Sequence, residues 1–267
     1  MRTLTGQRSA GSTDLRIAVA LGLSTALAVI AAMPYLMQLM PALIARVPVS
    51  MPLFIAIQST QAAVLCAALA WAGLRMGRDV GLDARWLRHW LGGATRPLHG
   101  ALHTWQSVAI GAVVAIALLL LASAIDPLLP QMRHAPAAVD PWLAARNGLL
   151  ASLYGGIVEE ILMRLFLVTL VVWLFARMRH RAPTNGVYPA AIVVAAVVFG
   201  VGHLPAASEI WPLDAIVISR TLLLNAIGGV VFGWLYWKRG LEMAIVAHAS
   251  TDVVVHSAMP LIRMAVT

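Results

Sequence analysis

The 267-residue chain is short of charge: Asp, Glu, Lys and Arg together make up 11% of it, against about 25% in an ordinary soluble domain. With 61% hydrophobic residues and a mean hydropathy of +0.85, that shortage excludes a soluble globular protein. No polar stretch is long enough to form a separate soluble domain. Cysteine is almost absent as well, and the single Cys66, set in an apolar run, excludes any intrachain disulfide and reads as a small core residue. Acidic residues number 11 against 19 Lys and Arg, a formal charge of +8. This surplus does not describe a nucleic-acid surface, because the basic residues fall in short loops beside apolar segments and no basic stripe is interleaved with aromatics. The partner it indicates is the lipid bilayer. Also missing are His-Glu-x-x-His, Gly-x-Ser-x-Gly, a pair of aspartates of the intramembrane protease kind, and any internal repeat.

What is present is a series of uncharged runs, each long enough for the roughly 20 helical residues that cross a bilayer. Arg2, Arg8 and Arg16 precede an apolar run from Ile17 to Met33, longer than a signal-peptide core and read as an uncleaved first span. Pro34, Pro41, Pro48 and Pro52 punctuate its exit and the re-entry into a second run that reaches Gly73. From Arg75 to His103 the composition changes, and Arg85, Arg88 and His89 beside Trp86 and Trp90 predict a short interfacial helix whose Arg residues meet anionic lipid. A third span runs from Trp105 to Ile125, and a Pro-rich outer loop from Asp126 to Pro141. The fourth, from Trp142 to Phe175, is longer than one straight crossing needs, with Gly148, Gly155 and Gly156 as places to bend. A fifth runs from Tyr188 to His203, a loop from Leu204 to Leu213, a sixth span from Asp214 to Trp237 and a seventh from Leu241 to Ile262. An internal N-terminus puts Arg75–Arg96, Arg177–Arg181 and Lys238–Arg239 on one side. The expected fold is all-α, a polytopic transmembrane helical bundle of about seven to eight spans plus an interfacial helix. Residues 1–148 form its N-terminal spans and 149–267 a functional core in the same bundle.

The fourth span carries Glu159, Glu160 and Arg164 inside an apolar run from Leu149 to Ala176. One charged residue at the centre of a membrane helix costs about 2.5–3.5 kcal/mol on insertion scales, so three together call for a function. Glu160 and Arg164 are four apart and share a face, which makes them an ion pair. Glu159 is rotated about 100° away, without that partner, and a desolvated carboxylate with no counter-ion is suited to act as a general base. In the fifth span Phe199 and His203 share a face. In the seventh, His248, Asp252 and His256 form one stripe, where a carboxylate one turn from an imidazole can fix its tautomer. His256 has no further argument behind it and is left outside the site. Glu159, His203 and His248 are a set able to activate a water, either directly or as the His-His-Glu ligands of a zinc ion.

In order and spacing these pieces resemble the signature of the CPBP family, the CAAX proteases and bacteriocin-processing proteins that include type II CAAX prenyl endopeptidases. Glu-Glu-x-x-x-Arg is Glu159, Glu160 and Arg164; Phe-x-x-x-His is Phe199 and His203; His-x-x-x-Asn/Asp is His248 and Asp252. The resemblance covers about residues 149–260. It implies an intramembrane endopeptidase of a bacterial cell membrane, acting on membrane-associated, CAAX-like peptides or proteins. Glu159 and His203 would activate water, and His248 with residue 252 would stabilise the oxyanion. Asp252 departs from the Asn of the prenyl endopeptidases, though Asp occurs in bacterial relatives. An ionised Asp cannot donate to an oxyanion, so it must be protonated, orient His248 or help hold a metal.

Two other classes remain open: a non-catalytic scaffold or immunity protein, and an ion-coupled transporter, against which the lack of internal symmetry counts. The span boundaries also pose a geometric problem. His203 lies about 16 residues from the inner end of its span and His248 about seven from its own, a depth difference of roughly 13 Å. The expectation is that the sixth segment bends or that the fifth and seventh boundaries shift.

Overall fold

The computed structural model describes residues 4–92, 101–133 and 139–266. Arg2, Arg96 and residues 134–138 of the outer loop lie outside the described residues. Among the described residues seven helices are long and apolar enough to cross a membrane: Gly11–Leu39, Met51–Val80, His103–Leu128, Pro141–Arg179, Val187–Ile210, Ala215–Arg239 and Leu241–Ile262. The described residues contain no strand, and the chain is an integral membrane helical bundle. Helices are what a chain this apolar must form, since the hydrocarbon offers no partner for an unpaired backbone group. Leu23, Leu27, Val64, Leu120, Val193 and Val197 stay exposed on the outer faces of their spans. They are the lipid-facing surface.

Helix ends follow the local sequence. Asp140 caps the fourth span by accepting from the Leu143 N–H at 2.9 Å, with Pro141 in the first turn, and Asp214 caps the sixth by accepting from Val217 at 2.8 Å. Between the sixth and seventh spans the chain reverses at Gly240, whose φ of +98° is a conformation that only glycine adopts without strain. Small residues let backbones touch inside the bundle. A Cβ added at Gly73 would meet the Leu165 carbonyl, one at Gly111 the Ala247 carbonyl, and one at Gly148 the His256 carbonyl.

The structure corrects the sequence reading at several points. Pro34 lies inside the first helix, Leu4–Leu39, instead of ending it. Leu204–Ile210 is a helical turn that continues the fifth span beyond His203, with Pro205 in its first turn, where a missing N–H costs nothing. The sixth span is an unbroken helix, Ala215–Arg239, while the end of the fifth shifts to Ile210, the second of the two expected alternatives. Irregularity falls on the fourth and seventh spans instead. The fourth is one continuous helix containing π-helical stretches at Tyr154–Glu159 and Ile161–Val168, and the seventh contains another at Val253–Ala258. A π turn takes in an extra residue and re-aims the side chains that follow, and such turns are frequent at functional sites.

At the inner end the interfacial helix is observed as Arg85–Leu91, with Trp90 largely exposed. Its Arg88 is turned inward, away from lipid, because two carboxylates wait for it. Arg88 Nη1 donates to the fully buried Asp14 at 2.7 Å, and its Nε and Nη2 donate to Asp83. Arg78 pairs with the other oxygen of Asp14. Burial disfavours the Arg88 charge, but the hydrogen bonds and charges of Asp83 and Asp14 outweigh it and hold the guanidinium above its ordinary range. Glu242, at the start of the seventh span, accepts the backbone N–H groups of Trp86 and Leu87 at 3.0 Å each. The first, second and seventh spans are thereby tied through one short helix. At the outer end Arg133 donates to the Ser208 carbonyl at 2.8 Å, and Arg220 pairs with Asp126 at 2.6 Å.

Candidate active site

The motif residues of three spans meet inside the bundle. Glu160, between the two π stretches, is fully buried and pairs with Arg164 Nη1 at 2.9 Å. The same Glu160 oxygen, Oε1, accepts a hydrogen bond from His248 Nδ1 at 2.7 Å. The expected pair is therefore a triad of groups: a buried carboxylate neutralised by an arginine and holding an imidazole in one tautomer. Arg164 also donates from Nη2 to the Gly229 carbonyl at 3.4 Å, and its guanidinium carbon lies 5.1 Å from the Phe199 ring centre and 5.6 Å from that of Phe232. A charge enclosed in this way costs far less than a free one in hydrocarbon.

Glu159 makes no such pair. Its Oε1 lies 3.7 Å from His203 Nε2, and its Oε2 lies 3.7 Å from His248 Nε2. One oxygen faces each imidazole. Asp252 Oδ1 stands 3.7 Å from the same His248 nitrogen, one helical turn along. The second carboxylate oxygen of Asp252 lies where a Cβ on Gly155 would be, and His248 Nε2 is 3.2 Å from that position. Each imidazole is also fixed by its other nitrogen. His203 Nδ1 lies 2.8 Å from the Phe199 carbonyl, which can only accept, so Nδ1 carries the proton there as it does in His248. Phe232 stacks on the His248 ring with centroids 4.6 Å apart, and Phe199 meets the His203 ring edge-on at 4.6 Å.

Access falls steeply across the group. The side chain of His203 is 34% exposed, Glu159 19% and Asp252 18%, while Arg164 and Glu160 are closed off at 2% and 0%. His203 is the most exposed edge of the group.

All six candidate residues are thus brought together, and the expected depth difference does not separate the two imidazoles, since Nε2 of His203 and Nε2 of His248 each lie 3.7 Å from an oxygen of the one Glu159 carboxylate. His256 lies apart, with Nδ1 3.0 Å from the Tyr35 hydroxyl of the first span. Sequence reasoning missed the Gly229 carbonyl, the Phe232 stack and the close approach of Gly155. The signal for the first two was the small-residue pattern of Gly228, Gly229 and Gly233 around Phe232, which permits tight helix contact.

Among the described residues no three His, Cys, Asp or Glu side chains form a group that could hold a metal ion. Glu159 turns a different oxygen toward each imidazole.

A membrane-embedded bundle with three carboxylates, two imidazoles and an arginine at its centre is the class of protein that fold and site define. Residues 141–254, which include all six site residues, match the family model for type II CAAX prenyl endopeptidase Rce1-like proteins. The match supports placing this part of the chain with the CPBP family of the Rce1-like kind, a family that is generally one of proteases. No curated protein matches the chain, and no solved structure does either.

Proposed function

We propose that the protein is an intramembrane endopeptidase that hydrolyses peptide bonds of membrane-associated substrates, CAAX-like ones among them, with Glu159 as general base. The observation that carries this is the division of labour between adjacent carboxylates. Glu160 is neutralised by Arg164 and hidden, whereas Glu159 is unpaired, accessible and aimed between two imidazole nitrogens. Two acceptors 3.7 Å apart do not bond each other, but one water can donate to both Glu159 Oε1 and His203 Nε2. Held there, the water gives a proton to Glu159 as its oxygen adds to the carbonyl carbon. Glu159 returns that proton to the amine nitrogen as the C–N bond breaks. Glu160 and Asp252 act on His248, the first fixing its tautomer and the second its orientation.

The test is proteolysis of a membrane-peptide library, including CAAX-like sequences, by purified protein with and without a chelator. Wild-type protein is expected to cleave and Glu159→Gln is not. Equal cleavage by the two would overturn the reading and favour a scaffold or immunity role, in which the motif serves packing alone.

A further inference from the structure

The first and second spans touch at two levels and part between them. Deeper in the membrane a Cβ on Gly22 would lie 2.8 Å from both the Ala63 carbonyl oxygen and the Ala67 Cβ, so the helices close there. At the inner end the fully buried Asp14 takes Arg78 of the second span. Between those contacts the helices leave a groove of about 250 Å³ lined by Leu15, Ala18, Val19, Ala67, Ala68 and Trp71. Every lining side chain is apolar, and Leu15, Val19 and Trp71 are exposed on the outside of the bundle, so the groove faces the acyl chains. None of the six motif residues lines it.

The mouth of the groove carries a cation. Arg75, one turn beyond Trp71, is exposed and sets its guanidinium carbon 5.3 Å from the centre of the Trp71 ring, a wall of the groove. Among the described residues no carboxylate pairs with it. Asp79, a further turn along, accepts instead from Trp173 Nε1 at 3.2 Å. The arginines of the interfacial helix are engaged elsewhere, Arg88 by Asp14 and Asp83 and Arg85 by the Lys238 carbonyl at 3.2 Å. Arg16, next to Leu15, is also exposed and adds charge at the same end. An acyl chain gains no hydrophobic free energy by leaving other acyl chains, so the groove decides where a lipid lies and the cation decides which lipid it is. A second copy of this chain is disfavoured as the occupant, because a two-fold contact through this patch would set Arg75 against its own image without a counter-ion.

We infer that this groove is a binding site for an anionic phospholipid, with one acyl chain between the first and second spans and the phosphate at Arg75. A guanidinium presents several N–H donors in one plane to phosphate oxygens, and its charge is balanced when the rest of the headgroup carries no cation of its own. Phosphatidylglycerol meets that requirement. Phosphatidylcholine, whose phosphate already has its own ammonium, does not. A lipid so held fills the gap between the two contact levels and braces the first span against the second.

The experiment uses the full chain reconstituted in phosphatidylcholine vesicles that contain a minor share of lipid with brominated acyl chains, either phosphatidylglycerol or phosphatidylcholine. Bromine quenches tryptophan on contact, and the difference between wild type and Trp71→Phe isolates the signal of Trp71. Brominated phosphatidylglycerol is expected to reach Trp71 with about fivefold higher apparent affinity than brominated phosphatidylcholine, the preference that one cation near the surface confers. Both lipids are read on the same protein, so a change in the emission of Trp71 itself cancels. Arg75→Gln should bring the ratio to about one, and Arg75→Lys should keep most of it. Lys238→Gln should leave it unchanged, since Lys238 stands over Trp237 on the sixth span, which does not line the groove. Ala68→Leu, which fills the groove, should lower quenching by both lipids. Equal affinities in wild type, or a ratio that survives Arg75→Gln, overturn the site. A ratio that falls as far in Lys238→Gln does the same, because it reports only the general field of the inner surface. Disulfide-linked dimers of Ala68→Cys in a Cys66→Ser background, formed on mild oxidation, would give the groove to a second copy and overturn the lipid as its occupant. Thermal unfolding in detergent checks each variant, and if Ala68→Leu does not fold, the comparison of Arg75→Gln with Lys238→Gln decides.

Discussion

At the scale of the residue, two neighbouring glutamates differ in every environmental respect. Glu160 is fully buried and bonded to Arg164 and His248, while Glu159 is accessible and unpaired. Their substitutions should separate accordingly. Arg164→Ala leaves an uncompensated buried carboxylate, a loss of about 3–5 kcal/mol in soluble proteins, and should lower the unfolding temperature in detergent well beyond Glu159→Gln. Glu159→Gln should unfold like wild type yet lose turnover by a factor of about 100 to 10,000, the contribution usual for a positioned base. The reverse ranking in thermal scans would refute the assignment of structural and chemical parts. The Glu160–Arg164 pair was legible from the sequence because a four-residue spacing on a helix has one geometric meaning. The bond from His248 to Glu160 was not, since it joins residues 88 positions apart and depends on how two spans dock.

At the scale of the element, the seven spans were legible because hydropathy and length report directly on the membrane. The π-helical stretches were not. Tyr154–Glu159 and Val253–Ala258 have the same apolar make-up as regular helix, so nothing in their composition marks the wider turn. The loop expected over Leu204–Leu213 failed for a related reason: Pro205 was read as a breaker, yet in a first turn proline is a helix starter. The two closest approaches between the fourth and seventh spans make opposite predictions. Gly148 abuts the His256 backbone carbonyl, which cannot swing aside, so Gly148→Ala should destabilise by about 1–3 kcal/mol, read by thermal unfolding. Gly155 abuts the Asp252 carboxylate, the movable end of a side chain. Gly155→Ala should keep most of its stability but displace Asp252 from His248, with turnover reduced at least about tenfold in the same peptide assay.

At the scale of the whole molecule, charge asymmetry orients the bundle and can be checked by labelling. In a Cys66→Ser background, cysteines placed at Trp90 and His180 should react with an impermeant reagent only when the inner face is exposed, and one at Leu213 only from the other side. Labelling of all three from one side would refute the seven-span, N-in topology. A second whole-molecule prediction concerns the inner junction. Asp14→Asn removes the charge shared by Arg78 and Arg88 and should raise the protease sensitivity of the interfacial helix, while Glu209→Gln, on the outer face, should not. The hydrogen bond between Tyr35 and His256 has a further consequence for anyone who recombines this protein with a relative. The family match runs from residue 141 to 254, so Tyr35 and His256 both fall outside it, and a graft cut at those borders would keep that pair in the recipient while setting the recipient's backbone at residue 256 against an imported position 148. The heritable unit is larger than the recognisable motif. A functional exchange has to carry the opening helix along with the closing one.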